Sequence, residues 1–103
     1  MHWSIEKNYS DIQDLIKRYP GLYKAVYTVI EDLDPSQLAG IEDEYNLEVY
    51  DIIYNLKDCK TPADIRNMMI YVFDHWLGSG EKLKKHGPFE DRIWEIRNKI
   101  SVF

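Results

Sequence analysis

The sequence has one cysteine, Cys59, so no disulfide can form within the chain. It also lacks a long apolar run and a charged-then-apolar leader, and both absences argue against export and membrane insertion. We therefore expect a protein of the reducing cytoplasm. With 103 residues, the chain is long enough to bury one core without disulfides or metal ions as staples.

Basic residues are in the minority, since 13 Lys and Arg face 18 Asp and Glu and give a net charge of −5. Phosphate binding needs a concentrated basic face, so we expect no nucleic-acid partner. A basic protein is a better match as a binding partner for this acidic chain. Aromatic residues make up 14% of the chain, including eight tyrosines and three tryptophans, which is more than a small core easily encloses.

No segment alternates apolar and polar residues with β-branched enrichment, so the sequence predicts no strand. Apolar residues recur at helical spacing instead, and proline and glycine separate the stripes. We predict an all-α fold, a compact bundle of four main helices with a short additional N-terminal helix before Pro20. The main helices carry the apolar stripes Leu22 to Leu33, Val49 to Leu56, Ile65 to Leu77 and Phe89 to Ile100.

The fourth helix of the chain, with the stripe Ile65 to Leu77, has the clearest signals. Thr61 can cap its start, Pro62 suits the first helical position, and Asp64 completes a capping box. Gly78 stands where a left-handed residue ends a helix. The methionines at 68 and 69 could line an adaptable groove, but their place in the stripe favours core packing.

From Leu22 onward the sequence carries a series of marks: Asp34-Pro35 with Leu38, "EDEY" at Glu42 to Tyr45, Glu48-Val49, "VFDHWLG" at Val72 to Gly78, and Ile93-Trp94. Their order resembles an uncharacterised family of small bacterial helical proteins, domain of unknown function 1871. The resemblance implies a compact helical bundle in a bacterial cytoplasm and no known activity, so no catalytic residues carry over. On this resemblance we expect residues 22–103 to form the family-like core of a single domain and residues 1–20 to be an N-terminal addition.

The acidic stretch "DLDPSQLAGIEDEY" invites comparison with a calcium loop. Laying Asp32, Asp34 and Ser36 on the first three ligand positions of an EF-hand fails further along the loop. Gln37 falls where the loop needs glycine, and Asp43 falls where it needs glutamate. We therefore read this stretch as a connector between helices, and "GSGEKLKKHG" as a solvated loop, since its glycines and lysines lack the order of a P-loop.

Zinc and catalytic sites find no support in the spacing of the candidate side chains. No two of the histidines and the cysteine stand close enough in sequence to anchor a metal site. No histidine is near Cys59 in the sequence either, so nothing local would activate its thiol. We expect no metal, no cofactor and no catalytic residue. The side chains considered are His2, Cys59, His75 and His86.

Tyrosines flank two of the apolar stripes in pairs. Tyr23 and Tyr27 stand four residues apart in the second helix of the chain, and Tyr50 and Tyr54 do so in the third. One interpretation is that they cover the edge of the core. The other is a tyrosine-rich binding surface with an acidic rim. The rim residues are Glu42, Asp43, Glu44 and Asp51.

Two functional hypotheses follow. The first is a non-enzymatic interaction module that binds a protein partner or forms a homodimer through the tyrosines and the acidic connector. A specific form of it is an inhibitor or immunity protein that neutralises a basic toxin nuclease. The alternative is an enzyme or small-ligand-binding protein with a pocket between helices near His75, Trp76 and Tyr45.

Overall fold

The computed structural model describes residues 3–6, 9–34 and 45–99, and the regular elements in those ranges are all helical. The predicted all-α class is confirmed. The described residues hold six α-helices, one more than predicted, and a 3-10 turn at Leu56–Asp58. The helices are α1 (Tyr9–Arg18), α2 (Gly21–Leu33), α3 (Asn46–Asn55), α4 (Pro62–Leu77), α5 (Gly80–Lys84) and α6 (Phe89–Asn98).

The second helix, α2, buries its predicted apolar face. Leu22, Val26 and Ile30 are almost fully buried, with Val29 beside them. Asp34 ends the helix in the left-handed region, with φ of 43°, and its N–H donates to the carbonyl of Ile30. The interruption predicted at Asp34-Pro35 therefore falls where the helix stops.

The third helix, α3, lies against α1, α2 and α4 and is buried on two sides. One side carries the predicted stripe of Val49, Ile52 and Ile53, all fully buried. The other side buries Asp51 and Asn55, which are polar. Because buried polar groups need hydrogen-bond partners, this second side requires a polar counterpart elsewhere in the chain.

The fourth helix, α4, has the predicted termini. The Thr61 hydroxyl accepts a hydrogen bond from the N–H of Asp64 at 3.1 Å, and the Asp64 carboxylate accepts one from the N–H of Lys60 at 2.8 Å. Gly78 ends the helix with φ of 62°. Met68 and Met69 are fully buried, so the interpretation as core methionines is confirmed.

The segment "GSGEKLKKHG" is not a simple loop, and that prediction is wrong. Residues Gly80–Lys84 form the short helix α5, which buries Leu83 against α4. Arg66 of α4 holds the following turn, because its guanidinium donates to the carbonyl of Lys84 at 2.7 Å and to the carboxylate of Glu90 at 3.3 Å. These contacts join α4 to the start of α6.

Residues from the predicted N-terminal addition are part of the core. Ile12 of α1 is only 2% exposed, and the partly buried Leu15 and Ile16 pack against the core with it. Trp3 and Ile5, which precede the helix, also pack against the core. Loss of this segment would therefore expose apolar surface in the rest of the chain.

Candidate binding surfaces

Three of the four predicted tyrosines touch one another on the outer side of α2 and α3. The rings of Tyr23 and Tyr27 lie 5.8 Å apart between centroids, and those of Tyr23 and Tyr50 lie 5.6 Å apart. All three pack against the core and remain partly exposed. The Tyr23 hydroxyl donates to the side-chain oxygen of Asn46, which holds its ring in place.

Leu47 lies one helical turn before Tyr50 and is 44% exposed, an unusual exposure among the large aliphatic side chains that the structure describes. We call Tyr23, Tyr27, Tyr50 and Leu47 together the tyrosine surface. Aromatic and aliphatic groups that are already ordered and partly exposed lose little conformational freedom on binding. The surface therefore combines exposed apolar area with a Tyr23 ring that its neighbours already hold in place.

Contrary to the prediction, Tyr54 lies outside that cluster. The ammonium group of Lys57 lies 4.2 Å from the centroid of its ring, a cation–π contact. Together with Ile12, Leu15 and Arg18, these two side chains line a depression of about 240 Å³ between α1 and α3. The pair predicted at Tyr50 and Tyr54 is therefore divided between two surfaces.

The predicted acidic rim needs one correction. Asp51 is fully buried and forms no part of an exposed rim. The sequence pattern failed here because a carboxylate beside a tyrosine pair is normally exposed, whereas this one meets partners from two other parts of the chain. Glu42, Asp43 and Glu44 lie outside the described residues, so their place in the rim stays a prediction.

The buried polar side of α3 meets the extended segment Trp3–Glu6, which we call the strap. The Ser4 N–H donates to Asn55 Oδ1 at 2.9 Å, and Asn55 Nδ2 donates back to the Ser4 carbonyl at 2.6 Å. A single side-chain amide thus pairs with both backbone groups of one residue, as a neighbouring strand would do.

The carboxylate of Asp51 holds the end of the strap. Its Oδ2 accepts the Glu6 N–H at 2.9 Å and also the indole N–H of Trp76 from α4 at 2.6 Å. Glu6 has φ of 62°, a left-handed conformation that is strained for a residue with a side chain. We call Asp51 and Asn55 the clamp, because both bind backbone atoms of the strap.

Sequence reasoning missed the clamp. Asn55 and Asp51 are four residues apart and so share a helix face, but polar residues at that spacing ordinarily face solvent. The signal that could have found it is the pattern of Trp3 and Ile5, two large apolar residues that alternate with polar ones before the first helix. Such alternation is typical of an extended segment packed on one side.

The residues of the predicted pocket are engaged with their neighbours. Tyr45 is buried against Phe73, with ring centroids 6.0 Å apart, and its hydroxyl donates to Asp34 at 2.7 Å. The Trp76 indole N–H is bound to Asp51. The His75 ring meets the Trp76 ring edge-on, and its Nε2 lies 4.0 Å from the Glu6 carboxylate.

A groove of 370 Å³ lies elsewhere, between the α1–α2 junction and the end of α6. Tyr19, Leu22 and Ile96 supply much of its apolar wall, and Arg18 and Lys99 add positive charge. This volume falls in the range of small-molecule sites. The groove is therefore a second candidate site, at a position that the sequence did not indicate.

The lone thiol is poorly suited to chemistry. Burial raises the pKa of Cys59 from 9.0 to about 12, with the nearby Asp64 carboxylate acting in the same direction. The thiol donates to the carbonyl of Asn55 at 3.5 Å. Within the described part of the chain, no three His, Cys, Asp or Glu side chains are grouped to hold a metal ion, and none of the helices there has the length and apolarity to cross a membrane.

The chain matches no protein-family model, no curated protein and no solved structure. The resemblance to domain of unknown function 1871 therefore stays a prediction, and the site geometry is the basis for any functional proposal.

Proposed function

We propose that the protein is a non-enzymatic interaction module that binds a protein partner, or a second copy of itself, through the tyrosine surface. The observation that supports this proposal most is the continuous contact of three partly exposed tyrosine rings beside the exposed Leu47. The proposal assumes that the longer helices pack as the bundle that the sequence predicts.

Tyrosine suits a contact of this kind. Its ring offers a large apolar area with few rotatable bonds, and its hydroxyl can still form a hydrogen bond at the edge of an interface. In this chain the Tyr23 ring is already fixed by Asn46 and by two neighbouring rings. Binding of a partner to this surface would therefore lose little side-chain conformational entropy at Tyr23.

Charge complements this surface. The acidic run Glu42 to Glu44 directly precedes Tyr45 and α3 in the sequence, and the whole chain carries a net charge of −5. Such charges speed the approach of a basic partner and orient it. An inhibitor or immunity protein that neutralises a basic toxin nuclease in a bacterial cytoplasm is the specific form of the proposal.

The experiment is a quantitative affinity purification of the tagged full chain from the source cell, repeated with single variants. Tyr27→Ala and Tyr50→Ala remove ring area from the tyrosine surface. Tyr71→Ala is the matched control, because Tyr71 is a 46% exposed tyrosine on α4. Circular dichroism and thermal unfolding confirm the fold of each variant before use. Sedimentation of the purified wild-type chain tests the homodimer.

We expect one partner, or the dimer, to be recovered with the wild type and with Tyr71→Ala and lost with the two surface variants. For a purified complex, the dissociation rate should rise about fivefold to thirtyfold in each surface variant, as hot-spot tyrosines imply. Recovery of the same proteins with all folded variants would show that the tyrosines only cover the core, and the proposal would fail.

The groove between α1, α2 and α6 favours a second candidate function, the binding of a small apolar ligand. Ala25 is one of its lining residues, and Ala25→Trp would fill the space, whereas Ala63→Trp adds the same bulk at an exposed position of α4. An environment-sensitive apolar dye should bind the wild type and Ala63→Trp and should bind Ala25→Trp more weakly. Equal binding by all three chains would exclude the groove as its site.

A further inference from the structure

We propose that the clamp on α3 is a peptide-binding site, that the strap occupies it within the same chain, and that an extended segment of a partner protein can replace the strap. The segment that fits carries an aromatic residue, any residue, then an aliphatic residue, because the strap presents Trp3, Ser4 and Ile5 in that order. This site is separate from the tyrosine surface and does not depend on it.

Recognition at the clamp is directed at backbone atoms. Asn55 binds both the N–H and the carbonyl of Ser4, and Asp51 binds the N–H of Glu6. None of these bonds uses a side chain of the strap. A site of this kind accepts any extended chain in register and takes its specificity from pockets for alternate side chains. Trp3 and Ile5, two residues apart, pack against the core and supply that specificity.

The clamp side chains are also held by groups outside the strap. Asn55 Nδ2 also donates to the carbonyl of Asp51 at 2.8 Å within α3, and Asp51 is held by the Trp76 indole from α4. Both clamp residues are nearly or fully buried. Departure of the strap would leave the Asn55 amide and the Asp51 carboxylate with fewer partners, which is unfavourable for buried polar groups. An extended segment of another protein would restore those bonds.

The strap is held under strain, which favours exchange. Glu6 adopts φ of 62°, and its amide is one of the three backbone groups in the clamp. A left-handed conformation disfavours any residue other than glycine. The strap, in turn, has the advantage of an intramolecular ligand, whose effective concentration is high. A partner segment therefore binds only when it outcompetes a tethered but strained occupant.

Two substitutions at one position test this competition in opposite directions. Glu6→Pro removes the N–H and fixes φ near −65°, so it releases the end of the strap. Glu6→Gly keeps the N–H and removes the strain, so it holds the strap more firmly. The probe is a fluorescein-labelled synthetic peptide with the sequence of residues 1–8, titrated into each full-length chain by fluorescence anisotropy.

We expect Glu6→Pro to bind the probe at least about tenfold more tightly than the wild type. Glu6→Gly should bind it about fivefold more weakly, which corresponds to the roughly 1 kcal/mol of strain that glycine relieves. The control probe carries an N-methyl group on its Ser4 amide and so cannot donate to Asn55. It should bind Glu6→Pro at least about tenfold more weakly than the parent peptide. Equal affinity of the three chains, or of the two peptides, would overturn the proposal.

A second measurement does not need the proline variant to fold. In a ¹⁵N-labelled wild-type chain, an excess of unlabelled probe should shift the backbone amide signals of Ser4 and Glu6 toward those of an unbound segment. The side-chain signals of Asn55 and Trp76 should stay near their original positions, because the probe takes the place of the strap. Unchanged Ser4 and Glu6 signals at millimolar probe would contradict the inference.

Discussion

The indole N–H of Trp76 and the buried carboxylate of Asp51 are joined by a hydrogen bond of 2.6 Å between Nε1 and Oδ2. The same oxygen accepts the backbone N–H of Glu6. One carboxylate oxygen therefore connects α3, α4 and the strap. Loss of a partner at a buried acceptor is costly, so this junction should matter for stability.

Trp76→Phe tests that junction. The substitution keeps an aromatic ring but removes the N–H, so it should lower the free energy of unfolding by about 1–3 kcal/mol, as for a buried acceptor that loses a partner. Urea denaturation measures the change. Trp94→Phe is the control, since the contact of Trp94 with the Arg97 guanidinium uses the face of the ring, which phenylalanine retains. Equal, small losses in both variants would contradict the importance of the bond.

Three glycine-to-alanine substitutions should differ in their effect on stability, because the glycines differ in backbone conformation and in the space around them. Gly78 has φ of 62°, so Gly78→Ala should cost about 1–2 kcal/mol. A Cβ on Gly80 would lie 2.9 Å from Cβ of Asp74 and 3.0 Å from the Ile70 carbonyl, so Gly80→Ala should cost about 1–3 kcal/mol.

Gly21 is the control of this series. A Cβ there would meet nothing within 4 Å, and the residue is helical. Gly21→Ala should therefore be neutral or stabilise the protein by up to about 1 kcal/mol. Thermal and urea unfolding of the three variants give the order directly. A loss at Gly21 as large as that at Gly80 would mean that the packing around α2 or α5 differs from that described.

Cys59 should be unreactive in the native protein. The thiolate is the reactive form, and burial both hides the sulfur and raises its pKa to about 12. An aromatic disulfide reagent at pH 8 should modify the unfolded chain quickly and the native chain only at the rate of its opening. Fast native labelling would show that the thiol is accessible.

The same pKa shift makes a prediction for stability. The folded state favours the neutral thiol, so its contribution is fully present below the unfolded pKa of about 9.0 and is lost as the pH rises toward about 12. The free energy of unfolding of the wild type should fall between those values more steeply than that of Cys59→Ala. Parallel pH profiles would contradict the shift. Tyrosine ionisation affects both chains alike and cancels in the comparison.

The sequence predicts those parts of the fold that depend on local signals. The ends of α4 follow from Thr61, Asp64 and Gly78, whose capping roles depend on neighbours within a few residues. The buried faces of α2 and α4 follow from helical periodicity. The short α5 was missed because a helix of five residues that begins with a glycine has too few turns for a periodic pattern, and its burial of Leu83 depends on α4.

The candidate sites were less predictable because they depend on contacts that are distant in sequence. Asp51 and Asn55 look like an exposed polar face until the strap, about 50 residues earlier, is placed against them. Tyr50 and Tyr54 look like a pair on one helix. They separate because α2 meets one of them and the other stands beside α1 and Lys57.

The most direct measurement of the central claim is site-specific photo-crosslinking in the source cell. A photoreactive benzoylphenylalanine replaces Tyr27 in the tyrosine surface or, in a parallel strain, Tyr71 on α4. The account predicts a discrete crosslinked species, either a partner or a dimer, from position 27, and its absence from position 71. Folded protein that gives no crosslink from position 27, or the same species from both positions, would contradict the proposal that the tyrosine surface is where this protein binds.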